Sequence, residues 1–180
     1  SATTWTARSL DVTLTAGRTL TLTDVEVLGD LRVGRSGSGN LNGTLAVTDG
    51  TVQGDISTGV DVLRVEGTQV NGTAGGNANR VSFQRVKAKG MINPSGDERS
   101  VILVEQCEGA ALSVYGGMVR VERTRLTGTP GGSRAVGKTV SVEGCYFRAD
   151  ATCTGTEVLR LSGNDFYGDC GVDAPPGTLF

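Results

Sequence analysis

Leu63-Arg64-Val65-Glu66-Gly67-Thr68-Gln69-Val70-Asn71-Gly72 reads as apolar, outward, apolar, polar, three turn-like residues, apolar, polar, glycine. The same template recurs along most of the chain. Its second apolar position falls at Leu22, Val47, Val65, Phe83, Val104, Val121, Val142 and Leu161. Its first falls two residues earlier, at Leu20, Leu45, Leu63, Val81, Ile102, Val119, Val140 and Leu159. The later inward position is Val27, Val52, Val70, Ala88, Gly109, Leu126, Phe147 and Phe166. A glycine follows two residues on in six copies, and Ala111 and Ala149 take its place in the others.

Neighbouring anchors are 25, 18, 18, 21, 17, 21 and 19 residues apart. Periods of this length mark solenoids, propellers or repeat arrays. Alternation of period two inside each copy means strands with one buried face. One residue more than strict alternation separates the two apolar groups, so the chain must bend near Gly67-Thr68. No stretch carries the i, i+3, i+4 pattern of an amphipathic helix, and a propeller blade needs about 40 residues. A coil of short parallel strands, one turn per repeat, fits the spacing, because stacked turns share a core that none of them could bury alone.

The stretches Val119-Arg-Val-Glu-Arg-Thr-Arg-Leu-Thr-Gly128, Val140-Ser-Val-Glu-Gly-Cys-Tyr-Phe147 and Leu159-Arg-Leu-Ser-Gly-Asn-Asp-Phe-Tyr-Gly168 resemble the right-handed parallel β-helix of the pectate-lyase-like superfamily. The resemblance covers roughly Leu20 to Gly168. It implies an all-β, right-handed parallel β-helix (solenoid) of about eight turns, and implies no activity, since folds of this kind host many functions. The expected division is a lead-in strand or cap at 1–18, the parallel β-helix at 19–170 and a tail at 171–180. At about 4.8 Å per turn the body is roughly 40 Å long. Segments 34–43, 72–79, 93–100 and 127–138 are rich in Gly, Ser, Asn or Pro and read as loops inserted between turns.

Composition narrows the function. With 28 glycines, few aromatics and a net charge of −2, the chain lacks the basic excess that nucleic acid demands. No apolar run is long enough for membrane insertion. The chain opens on Ser rather than Met, as a processed or excised product would. There is no His. That removes the commonest general base, the Ser-His-Asp arrangement, and the Gly-His-Gly signature of the β-helical glycosidases. The Arg-x-Pro-x-x-Arg signature of one large pectate lyase family is also absent. No catalytic residue is assigned. A small polysaccharide lyase, with Lys87 or Lys89 beside Glu105 and Glu108, is the least favoured class.

Four surface features are candidates. The outward column Glu105, Glu122, Glu143 either binds a cation such as Ca²⁺ or is offset by Arg120, Arg123 and Arg160; the second reading is favoured, and no other cofactor is expected. Weaker acidic pairs are Asp24 over Asp49 and Asp30 over Asp55. The columns Lys87, Glu108, Arg125, Tyr146, Asp165 and Lys89, Ala110, Thr127, Arg148, Tyr167 make a basic surface with two rings. From it Lys87, Lys89, Arg125, Tyr146, Arg148 and Tyr167 are the candidates for holding a glycan, against the plainer reading of a solvated sheet face. The outward threonines of the first two turns (Thr19, Thr21, Thr23, Thr44, Thr48) suit strand propensity better than an ice-binding array. Asn42-Gly-Thr and Asn71-Gly-Thr match the glycosylation pattern, but Asn-Gly is more simply a turn.

Among the four cysteines, Cys107 and Cys145 occupy equivalent positions two turns apart, nearly 10 Å and too far for a bridge. They read as buried thiols near the bend. Cys153 and Cys170 lie in neighbouring turns, where a disulfide is geometrically natural and would imply an oxidising setting. Trp5 is either a plug for the open end of the coil or, with Phe180, a self-association contact. A β-helix exposes unpaired strand edges at its ends, and head-to-tail docking of such ends propagates. The expectation is an extracellular or surface structural protein, on a cell or virion. It would be a homo-oligomer or polymer acting as a fibre, filament or spike component. The alternative is a glycan-binding module of a cell-surface or phage protein.

Overall fold

The computed structural model describes residues 5–15, 17–35, 43–128 and 132–176. Among them there is no helix: the chain is a parallel β-solenoid of about eight turns. Its strands fall into three stacks, here called the first, second and third sheets. The first holds Thr19–Thr23, Thr44–Thr48, Val62–Glu66, Arg80–Gln84, Val101–Glu105 and residues 118–122, 139–143 and 158–162. Every one of these pairs in register with its equivalent, Leu63 on Leu45 and Val81, Val65 on Val47 and Phe83. The template's two apolar columns therefore stack residue on residue. Leu45, Leu63, Ile102, Val119 and Val140 are fully buried, as are Phe83, Val104, Val121 and Val142.

The bend falls where the extra residue required it. Asp24, Asp49, Gly67, Arg85, Gln106, Arg123, Gly144 and Gly163 all sit in the left-handed region, with φ between 47° and 61°. Each turns the chain from the first sheet into the second, a nine-stranded stack that includes Val25–Val27, Lys87–Ala88, Arg125–Leu126 and Tyr146–Phe147. The corner amides form their own ladder: Asp49 N–H donates to Glu66 O (2.9 Å), Gly67 to Gln84 O (3.0 Å), Arg85 to Glu105 O (3.0 Å) and Gln106 to Glu122 O (3.0 Å). Thr68 Oγ1 and Thr124 Oγ1, the first inward residues past the corner, donate back to the carbonyls of Glu66 and Glu122 at 2.9 and 3.0 Å.

The third sheet is where structure and expectation part. The segments 72–79, 93–100 and 127–138, expected to be inserted loops, supply strands: Ala74–Asn77, part of Met91–Ser95 and the start of Ser133–Glu143. They pair in parallel with one another and with Leu10–Leu14, Leu31–Arg35, Ile56–Thr58 and Cys170–Asp173. The strand signal was weak because the inward residues there are small or atypical: Ala74, Pro94, Ala135, Cys153. In Ala111–Glu122, Ser133–Glu143 and Ala151–Ser162 the third sheet runs into the first without a break, past Gly116, Gly137 and Gly155. Glycine at the second-to-third corner has a steric cause: a Cβ on Gly54 would lie 2.9 Å from Gly29 O and one on Gly90 2.8 Å from Gly72 O. Segment 34–43 lies largely outside the described residues, as do Asn42, Phe180 and the side chain of Trp5.

In the lead-in, Trp5–Ala7 and Leu10–Leu14 both stack on the first full turn. At the other end, pairing continues to Asp173, opposite Thr154.

Three substitutions test this architecture by chemical denaturation. Leu63→Ala removes a fully buried side chain and is expected to cost about 2–5 kcal/mol, whereas outward Arg64→Ala changes stability by less than about 0.5 kcal/mol. Gly144→Ala meets nothing closer than Arg123 Cγ at 3.6 Å, so its expected cost of about 1–2 kcal/mol comes from φ alone. Equal effects at positions 63 and 64, or a neutral Gly144→Ala, would contradict the stacking and the corner respectively.

Candidate functional site

Register decides what each surface column can do. On the second sheet, Lys87 pairs with Glu108, Glu108 with Arg125, Arg125 with Tyr146 and Tyr146 with Asp165. The parallel row Lys89, Ala110, Thr127, Arg148, Tyr167 lies beside it, its amides donating to the preceding turns. The Arg125 guanidinium lies 4.8 Å from the Tyr146 ring centroid. The Tyr146 and Tyr167 rings are 5.1 Å apart and tilted by 44°. Lys87 Nζ is 3.7 Å from Glu108 Oε1, both side chains more than half exposed. Lys89, Arg125 and Arg148 have no ion pair among the described residues.

A shallow groove of about 420 Å³ opens on this sheet. Its floor is Ala88, Gly109 and Ala110; its rim carries Gln69, Asn71, Lys87 and Lys89. The groove exists because the side chains here are small. Ile92, from the third sheet, fills the core beneath Gly109, its Cδ1 3.1 Å from where a Cβ would stand. Gly109 faces inward and contributes only backbone to the floor, and only the methyl of outward Ala110 rises above it.

On the first sheet, Glu105, Glu122 and Glu143 do stack in one column. Arginine answers two of them. Arg120 pairs with Glu122, and Arg123 pairs with Glu105 in the turn before while standing 3.6 Å from Glu122. Gln84 Nε2 also donates to Glu105 at 3.1 Å. Arg85 repeats the Arg123 arrangement, reaching back to Glu66 at 2.5 Å. Both arginines are left-handed corner residues, a role that the linear pattern did not reveal. Glu143 and Arg160 have no ion pair among the described residues, and no group of three ligating side chains converges there to hold a metal. These exposed pairs relieve like-charge crowding and are worth little each, about 0–1 kcal/mol.

The acidic pairs near the start of the chain serve the backbone. Asp30 Oδ1 accepts from Asp55 N–H at 2.9 Å, and Asp55 Oδ1 from Thr73 N–H at 2.7 Å. Asp24 and Asp49 are corner residues. Asn71 donates to Gln53, a turn-to-turn contact at the groove's rim.

The expected Cys153–Cys170 bridge is not formed: all four cysteines are free thiols. Strand register is the reason. Cys170 stands opposite Ala151 and Cys153 opposite Val172, two residues out of step. With the bridge goes its argument for an oxidising setting. Cys107 and Cys145 are buried just past the corner, and their thiols donate weakly to Glu105 O and Glu143 O at 3.2 and 3.3 Å. Burial pushes both thiols up to about 11, and that of Cys153 to about 12. None of the three has the low pKa of a reactive thiolate.

No family model, curated protein or solved structure matches this chain.

Thiol titration checks the inner cysteines. At pH 8 the native protein is expected to react once, at exposed Cys170, and four times in guanidinium; prompt native labelling of Cys153 would contradict its burial. The sign of the pH effect follows. The folded state holds these thiols protonated where the unfolded chain has lost its protons, so stability falls as pH rises above about 9 toward 11. A melting midpoint unchanged between pH 8 and 10.5 would contradict the raised values.

Proposed function

We propose that the protein is a structural rod, exposed outside the cell or on a cell or virion surface, that self-associates end to end in a fibre, filament or spike. The observation that carries this is the state of the two end turns. In the interior, Val142, Phe147, Ala151 and Cys153 are buried. One turn on, their equivalents Leu161 and Phe166 are half-buried, Cys170 is exposed, and Val172 is 43% exposed. At the opposite end Leu10, Val12 and Leu20 are half-buried, where Leu31, Val33 and Leu45 above them are sealed.

Among the described residues, each end therefore presents three strand edges with no further strand paired to them and with apolar residues beside them. At one end these are Thr19–Thr23, Trp5–Ala7 and Leu10–Leu14; at the other, residues 158–162, Asp165–Phe166 and Cys170–Asp173. Such edges template further pairing. Both ends display the same three sheets, so one end is the natural continuation of the other. A head-to-tail contact of this kind does not close on itself and propagates. Kinship with the pectate-lyase-like superfamily is proposed for the architecture alone, and no activity is carried over from it.

Sedimentation velocity across a hundredfold range of concentration tests the reading. Growing assemblies are expected, with Val172→Asp shifting them toward monomer while leaving the melting midpoint of the rod within a few degrees. A strict monomer at every concentration would overturn the proposal.

A further inference from the structure

A second property sits on the side of the rod and is independent of how its ends associate. From the turn of Lys87 to that of Tyr167, the outward residues of the second sheet include four cations, Lys87, Lys89, Arg125 and Arg148, against two carboxylates, Glu108 and Asp165. That is a local excess of two positive charges on a chain whose net charge is −2. On the first sheet the corner arginines Arg85 and Arg123 lie against neighbouring glutamates, while Arg64, Arg80 and Arg160 have no ion pair among the described residues. Of these four cations on the second sheet, Lys87 alone has an acidic partner among the described residues, at 3.7 Å. The unpaired cations stand beside the groove and beside two tyrosine rings.

We propose that the groove, with the row of guanidinium and rings that continues it, binds an acidic oligosaccharide lying along the rod axis. Three observations shape the ligand. Tyr167 is 71% exposed and stacks obliquely on Tyr146, a flat, partly apolar platform of the kind that takes the C–H face of a sugar ring. The rim amides of Gln69 and Asn71 and the Thr127 hydroxyl offer donors and acceptors to hydroxyl groups. The cations are spaced: Lys87 and Lys89 share one turn, Glu108 occupies the next, and Arg125 the one after. Between Lys87 and Arg125 positive charge thus recurs two turns apart, about 10 Å, with a carboxylate between, and Arg148 adds a cation one turn beyond Arg125. A chain carrying a carboxylate on alternate sugars matches the order from Lys87 to Arg125; one charged on every sugar would set an anion against Glu108.

Nucleic acid is a poor fit, since an excess of two charges falls well short of the footprint that phosphate binding requires.

Calorimetric titration with a hyaluronan hexasaccharide, which has a carboxylate on every second sugar, is the test. Chitohexaose serves as the neutral control and a short single-stranded DNA as the phosphate control, at protein concentrations where sedimentation gives a single species. Binding to the hyaluronan fragment is expected, weakening as salt screens the cations. The pair Lys89→Ala with Arg125→Ala, and separately Tyr146→Ala, should each weaken it at least tenfold, while Glu66→Gln on the first sheet leaves it unchanged. All of these are surface positions, and the melting midpoint of each variant confirms that it is folded. Several results would overturn the proposal: no binding at millimolar hexasaccharide, equal affinity for chitohexaose, tighter binding of the DNA, or indifference to the second-sheet substitutions.

Discussion

In-register parallel pairing is the constraint from which the rest follows. Each residue is set directly over its equivalent one turn away, so like stacks on like. For aliphatic side chains this is favourable in every direction, and it converts repeated Leu and Val into continuous columns sealed from water. For charged side chains it is unfavourable, because identical charges about 4.8 Å apart repel. The molecule therefore either alternates its outward residues from turn to turn or brings in an opposite charge.

Both solutions are present. On the first sheet, Glu66 and Glu105 are answered by Arg85 and Arg123, residues whose left-handed corner position aims them back over the preceding turn. On the second sheet the outward column changes identity at nearly every step, Lys, Glu, Arg, Tyr, Asp, and a cation is left lying along a ring instead of against a carboxylate. The same constraint selects the corners. Glycine, or a residue that tolerates positive φ, must recur there because any one turn's corner sits on the corner below.

Much of this was legible in the sequence. Strict alternation around Leu63 and Val65 identified the first sheet with its register, and the single extra residue at Gly67 located the corner. The columns through Lys87 and Glu105 follow from the same alignment. The third sheet was not legible, because its inward positions are filled by Ala74, Pro94 and Ala135 and its strands are punctuated by glycine, which locally resembles a loop. The fault in the Cys153–Cys170 pairing has the same origin. Without the third sheet's register, two cysteines in neighbouring turns look adjacent, although the ladder sets them two residues apart. The role of Arg85 was hidden for a different reason: a left-handed corner redirects a side chain in a way that spacing along the chain does not express.

Function rests on what the constraint leaves unsatisfied. Interior turns satisfy one another; the end turns do not, and there the apolar columns reach solvent. Along the sides, the second sheet leaves Lys89, Arg125 and Arg148 without an ion pair among the described residues, next to a groove that passes over Ala110. The proposed end-to-end association and the proposed binding side both start from these unsatisfied groups.

The stacking itself is most directly tested by pulsed electron resonance between spin labels on one outward column of the first sheet, in a protein with Cys170 replaced by Ser. Labels at positions 64 and 120, 64 and 141, and 64 and 160 lie three, four and five turns apart in register. The distance should lengthen by about 4.8 Å at each step. Distances that stay level, or that shorten between the second pair and the third, would contradict a single column of stacked turns.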